Sequence, residues 1–270
     1  MAESNLMTAL LPTINMFWFG APLSRIEALS ITSFLAIGHA VDLYVYDDIG
    51  PVPTGTQLRD AATILPRELL FWHKRTGSVA HFADWFRYRV LHREGGIWAD
   101  TDVVCLRPLD YPDPVVFAWE NKQYLNSAVL GLPAGHVLAE WLAASCEQPN
   151  KPLPYDNWRL RLRKLRRRYL QGNRRDRIRW GETGPKGLTL AARHFGLLDL
   201  ALPSWHFYPV AADDWQRLFA ATANGSSFDF KDSRAVHLWN NMLHKQPAFD
   251  KNALFPASSP FEQLWRRFQS

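Results

Sequence analysis

Thiols are scarce in this chain: Cys105 and Cys146 are the two cysteines in 270 residues, both in apolar surroundings. That excludes a thiolate metal cluster and a disulfide framework, and it fits a reducing compartment. Long apolar runs are missing too, since none approaches the ~20 residues that cross a bilayer. Met1 to Leu11 lacks the basic n-region of a secretory leader, so the reading is a cytoplasmic protein. Strong compositional bias is also absent: hydrophobic residues make up 47% and charged residues 21%, which excludes disordered, collagenous and low-complexity classes. No internal repeat is visible, and the length accommodates one large domain, taken here as residues 1–270.

What is present is unevenly distributed. The formal charge is +5, but Arg159 to Arg179 alone holds 11 basic residues and one acid, leaving 20 basic against 25 acidic elsewhere. One segment makes the protein basic. Within it Trp158, Leu160, Leu162, Leu165, Tyr169 and Leu170 alternate with arginines, which predicts a basic amphipathic helix inside an insertion spanning about 155–180.

The remaining pattern is α/β. Ile14 to Phe19 reads as a buried strand ending at Gly20. Ser24 and Glu27 have capping-box spacing ahead of a helix that stops at Gly38, and Val41 to Tyr46 is a second strand. Strand, helix, strand opens a parallel sheet. The stretch from Pro51 to Gly77 carries no clear period. A helix follows from Ser78 to the Gly95-Gly96 pair, then Ile97 to Leu106 as a strand interrupted by Asp100-Thr101-Asp102. Val115 to Trp119 and Ala128 to Leu132 are further strands, His136 to Cys146 and Gly184 to His194 are helices, and Arg234 to Trp239 is a late strand before a loop-rich tail.

Chemistry concentrates at Asp100-Thr101-Asp102. Two carboxylates two apart at a strand end share one face, and with no evident local cation they call for a positive partner; hard ions such as Mg²⁺ and Mn²⁺ favour such oxygen ligands. The plainer reading is a solvated turn. Asp84 and Arg87 lie three apart on a helix that is apolar nearly all round, so they form either an internal ion pair or a pair aimed into a pocket.

Taken together, His81-Phe82-Ala83-Asp84-Trp85-Phe86-Arg87-Tyr88, Leu91, Gly95-Gly96-Ile97-Trp98 and Asp100-Thr101-Asp102 resemble the signature of the DXD-containing sugar-binding glycosyltransferases. That family includes yeast initiating mannosyltransferases, capsule and lipooligosaccharide transferases and, more distantly, clostridial glucosylating toxins. Asn126-Ser127 and His237-Leu238-Trp239-Asn240 extend the likeness more loosely. The resemblance implies a GT-A fold, a Rossmann-like mixed sheet flanked by helices. It further implies retaining transfer of a hexose from a nucleotide-diphosphate donor, by family tendency a UDP-sugar, to a polysaccharide or lipid-linked glycan. By the same resemblance Asp102 is a direct ligand of Mn²⁺ or Mg²⁺, Asp100 contacts ribose and sugar, and Asp84 and Arg87 grip the sugar hydroxyls. Trp98 lies near the ribose, and Phe17 and Trp18 approach the nucleobase. His237 is a further metal ligand or a phosphate donor, with Asn126 and Trp239 as additional donor contacts; a structural role is the alternative for each. A double displacement would need a carboxylate nucleophile, for which Glu120 is a candidate, whereas a front-side route needs none.

The basic segment Arg159–Arg179 lies outside the family pattern. Three readings weigh here: peripheral contact with an anionic membrane at its inner face, a solvated helix, and nucleic-acid binding, the last with no base-reading fold in support. Three alternatives for the whole chain remain beside the glycan transferase: a protein-modifying, toxin-like transferase, a two-metal phosphodiesterase, which would need more ligands, and a catalytically dead membrane-binding module.

Overall fold

A computed structural model describes residues 10–20, 22–222, 230, 232–246 and 248–269. The leader reading of Met1 to Leu11 falls, through residue 9, outside the described residues.

The opening is β1 (Ile14–Phe17), buried along its length, then α1 (Arg25–Ile37) and β2 (Val41–Val45). The capping box forms as spaced: the Ile26 N–H donates to Ser24 Oγ at 3.3 Å, and the Ser24 N–H donates to Glu27 at 2.9 Å. The stretch without a clear period supplies β3 (Gln57–Asp60), exposed throughout and paired in parallel to β2 at the sheet edge. An edge strand with both faces wet has no apolar alternation to read. Then come α2 (Ala80–Glu94), β4 (Ile97–Ala99), β5 (Val103–Cys105), β6 (Val116–Trp119), β7 (Leu125–Gly131) and α3 (Val137–Glu147). These are followed by α4 (Trp158–Leu170), α5 (Pro185–His194) and β8 (Ala235–His237).

The tail read as loop-rich contains α6 (Asn240–Leu243) and α7 (Pro260–Gln269). Phe261, Leu264 and Phe268 of α7 enter the core. Their helical spacing sits directly behind the Pro- and Ser-rich run at 256–260, which reads as a loop and masks the start of the element.

Six strands form one sheet in the order β3-β2-β1-β4-β7-β6, the first four parallel, β7 antiparallel to β4, and β6 antiparallel to β7 so that it runs with the first four. The expected mixed α/β sheet flanked by helices is therefore what the chain builds. One face packs on α1 and α7 around Ile14, Met16, Leu29 and Phe34; the other packs on α2, α3 and α5 around Phe82, Phe86, Trp98 and Leu138. β5 leaves the sheet and pairs with β8, with Val103 opposite His237. That departure places the acidic turn between β4 and β5 at the carboxyl ends of parallel strands, where α/β sheets bind ligands.

Close approach between α2 and β4 depends on two glycines. Gly95 adopts φ 69°, and a Cβ there would lie 2.6 Å from the Ala134 nitrogen; Gly96 adopts φ 84°, and its Cβ would lie 2.7 Å from the Thr13 oxygen. The Asn15 side chain of β1 donates to the Gly95 carbonyl at 3.0 Å, so this junction is bonded as well as packed.

Candidate active site

Asp100, Thr101 and Asp102 form a tight turn rather than a continuing strand. The Val103 N–H closes it on the Asp100 carbonyl at 3.0 Å, and the Asp100 N–H donates to Ala128 of β7 at 2.8 Å. The carboxylates converge because the chain reverses, not because a strand alternates. The turn is also not solvated: Thr101 and Asp102 are buried, while 31% of the Asp100 side chain is exposed.

The expectation of no evident local cation is corrected by the structure, because each carboxylate has one. Arg87 Nη2 donates to Asp100 Oδ1 at 2.6 Å, and its Nη1 donates to Asp84 Oδ1 at 3.0 Å and to Ser127 Oγ. The Asp84–Arg87 pair forms, but the arginine reaches beyond it to the turn. Asp84 Oδ2 accepts from Thr183 Oγ at 2.8 Å, so both of its oxygens have protein partners. Arg87 is buried, and a guanidinium held between two carboxylates is the arrangement that makes such burial tolerable.

Asp102 is bound from the other end of the chain. Its Oδ2 accepts from His237 Nε2 at 3.1 Å and from the Asn240 N–H at 2.6 Å. Burial alone would push the Asp102 carboxyl up; the His237 charge, its hydrogen bond, the Asn240 N–H and the Lys251 charge outweigh it and hold the carboxyl below its ordinary value. For His237 burial opposes charging, but Asp102, with Asp100 and Glu120 beyond, raises its pKa. Asp100 is shifted upward, by withdrawal from water first and, against the pull of Arg87, by the charge of Asp102.

The loop after β8 is shaped for this contact. Trp239 sits in the left-handed region at φ 60°, ψ 47°, uncommon for a bulky residue, and the next N–H is the one aimed at Asp102. Its indole N–H is spent on the Val210 carbonyl at 2.9 Å, which fixes the ring beside His237, 4.2 Å between centroids.

The other predicted residues divide. Trp98 is buried and donates from Nε1 to Asp100 Oδ1 at 2.7 Å, while its ring lies 5.1 Å from the Arg87 guanidinium. That hydrogen bond ties β4 to the acidic turn. Phe17 is packed in the core, stacked on Phe86 at 4.6 Å. Trp18 is half-buried at the end of β1, with Lys251 Nζ 5.4 Å from its ring. Asn126 donates to Glu120 Oε2 at 2.7 Å, and burial raises the Glu120 carboxyl.

Sequence reading missed Lys251, Thr183, Asn240 and Glu27. Lys251 pairs with the buried Glu27, sits beside Trp18, and its charge helps hold the Asp102 carboxyl down. No local pattern marks a lysine or threonine in a loop; Glu27 was visible only as a cap.

The residues fit a divalent cation on the chemistry of their donors. One ligand atom from each of Asp100, Asp102 and His237 lies within 4.8 Å of the others, a grouping that among the described residues occurs once. Two carboxylates and an imidazole are an oxygen-rich set suited to Mn²⁺ or Mg²⁺. Beside them the buried His237 Nδ1 and Asn240 Oδ1 have no partner among the described residues.

Two family models match the chain. One is the glycosyltransferase sugar-binding region containing DXD motif, over residues 56–122, which holds Asp84, Arg87, Asp100 and Asp102; the other is the alpha 1,4-glycosyltransferase conserved region, over residues 176–257, which holds His237. A human alpha-1,4-N-acetylglucosaminyltransferase is 25% identical over 194 residues, covering 64% of this chain and 48% of the relative. The chain thus spans about half the length of that protein. Among solved structures, the PaToxG glycosyltransferase aligns over 70% of this chain and 72% of that one, at 14% identity and a TM-score of 0.44. No helix among the described residues is long and apolar enough to cross a membrane.

Proposed function

We propose that this chain, which carries a region matching the DXD-containing sugar-binding region of glycosyltransferases, is a glycosyltransferase that moves a hexose, with retention of configuration, from a UDP-sugar to a glycan or lipid-linked glycan, using Mn²⁺ or Mg²⁺. In this reading residues 1–270 act as one GT-A-type domain. The observation that carries it is the meeting of Asp100, Asp102 and His237 within 4.8 Å. A divalent ion held there supplies Lewis-acid stabilisation of the charge that develops on the departing diphosphate.

The chain's own groups do the rest. Asp102 and His237 would hold the ion directly, and the Asn240 N–H fixes Asp102 in place. Arg87 and Trp98 fix Asp100 at the ribose and sugar side. Lys251, beside Trp18, adds positive charge where the phosphates pass. Trp18 offers the face for the base, and Asp84 and Arg87 set the sugar subsite. The acceptor hydroxyl loses its proton to the leaving phosphate oxygen, so no protein carboxylate forms a bond to the sugar. Glu120 is held by the Asn126 amide through Oε2.

The test is a screen of nucleotide sugars for Mn²⁺-dependent release of the nucleotide, with UDP-N-acetylglucosamine first because of the human relative's name. Turnover with a UDP-sugar that disappears in Asp102→Asn is expected. Absence of metal-dependent turnover with every donor would overturn the reading.

A further inference from the structure

α4 is built inside out. A helix on a globular surface turns its apolar stripe to the core and its charges to water. Here Trp158, Leu162, Leu165 and Tyr169, spaced four, three and four apart on one face, are 66%, 58%, 38% and 72% exposed. The buried residue of the helix is instead a lysine: Lys164 Nζ lies 2.8 Å from Asp156 Oδ2, with both side chains almost wholly covered. Arg167, on the same inward side, pairs with Glu182 at 3.2 Å. The helix is thus pinned to the body by ion pairs, and its hydrophobic side faces out.

Arginines flank that stripe. On the helix wheel Arg159, Arg163 and Arg166 lie to one side and Arg161 and Arg168 to the other. Arg159 and Arg168 rest over the rings of Trp158 and Tyr169, at 5.2 and 5.7 Å. Aromatic and leucine side chains along a ridge with guanidinium groups on both flanks match the section of a lipid leaflet: acyl boundary under the ridge, anionic headgroups beside it. A protein partner would be expected to offer acids at matching points; a leaflet of anionic lipid presents negative charge everywhere.

We propose that α4 is a docking helix that seats the enzyme on an anionic membrane surface, Trp158, Leu162, Leu165 and Tyr169 entering the interface and Arg159, Arg163 and Arg166 meeting headgroup phosphates. This rests on the glycosyltransferase reading only in giving it an acceptor side: the surface brings a lipid-linked acceptor to the site. The helix is connected to that site. Glu182, paired with Arg167, precedes Thr183, whose hydroxyl holds Asp84, which in turn pairs with Arg87 at the acidic turn.

The experiment is flotation of the full chain with vesicles of phosphatidylcholine alone and of phosphatidylcholine with phosphatidylglycerol, with nucleotide release from the donor in solution measured in parallel. Wild type is expected to float with the phosphatidylglycerol vesicles and not with the neutral ones. Leu162→Ser with Leu165→Ser should lower partitioning by roughly tenfold or more, since apolar area drives insertion. Arg163→Gln should lower it about fivefold, the weight of one cation near an anionic leaflet. Nucleotide release in solution should be unchanged in both variants, which controls for folding. Three results would overturn the docking role: no flotation at physiological salt, flotation that the double serine variant leaves intact, or equal binding to a single-stranded oligonucleotide that the serine variant retains. Flotation without nucleotide release from any donor would leave docking standing and remove the enzymatic reading, so the two fail separately.

Discussion

Arg87 carries more of the site than any other side chain, because Asp84, Asp100, Ser127 and the ring of Trp98 all meet it. Arg87→Ala leaves two largely buried carboxylates without a counter-charge. Breaking such a pair from one side costs about 3–5 kcal/mol, read as a fall in denaturation midpoint, and donor turnover should fall with it. Arg87→Lys should recover part of the stability but little turnover, since an ammonium cannot span both acids as the planar fork does.

His237 and Asp102 make opposite demands on pH. The elevated imidazole stabilises the ion-free protein fully below its ordinary value, and that contribution is lost as pH rises through the elevated one. The depressed carboxyl stabilises above its ordinary value and is lost as pH falls through the depressed one. Thermal unfolding without divalent ions should therefore show a stability window on the acid side of neutral that His237→Gln removes. An imidazole can ligate an ion only after losing its proton. Mn²⁺ affinity, followed by titration calorimetry in two buffers, should rise by up to about tenfold per pH unit until His237 is neutral, with proton release. Flat affinity across that range would take His237 out of the ligand set.

Among elements, the α2–β4 junction is the stiffest constraint. Gly95→Ala puts a Cβ against the Ala134 backbone at 2.6 Å in a conformation that L-residues avoid. A loss of about 2–4 kcal/mol in equilibrium unfolding is expected, with Gly135→Ala, where a Cβ meets nothing, as a milder control. This junction was legible beforehand because its information is local: a glycine pair after a periodic helix, then an apolar strand and two acids. Ser24 and Glu27 were legible for the same reason. β3 was not, since an exposed edge strand has no buried face to imprint a period. Nor was the cation beside each acid, because Arg87 meets Asp100, and His237 meets Asp102, only after β4 lies beside β1 and β5 beside β8. Asn240 came close to being readable, four residues into the stretch that begins at His237, but the left-handed turn at Trp239 that aims its N–H has no signature in residue type.

On the scale of the whole chain, the two regions matched by glycosyltransferase family models are separate in sequence and meet in the fold, at the Thr183–Asp84 hydrogen bond and along the β5–β8 pair. Asp100 and Asp102 come from the first and His237 from the second, and the short β5–β8 pair is the seam that brings these three together. Mn²⁺ binding should raise the unfolding temperature of wild type and not of Asp102→Asn, because an ion bound across the seam stabilises the state in which it is closed. An unchanged midpoint at saturating Mn²⁺ would count against an ion at this place.

The seam also separates what the protein is from what it can do. A single backbone cut in the Pro149–Pro154 connection would leave Asp100 and Asp102 on one fragment and His237 on the other. Mixed together, such halves would have to zip Val103–Cys105 to Ala235–His237 again, beside the α5–β7 and α1–α7 packing that also joins them, and manganese bound across the three side chains would then behave as a ligature between fragments, lowering the concentration at which they find each other.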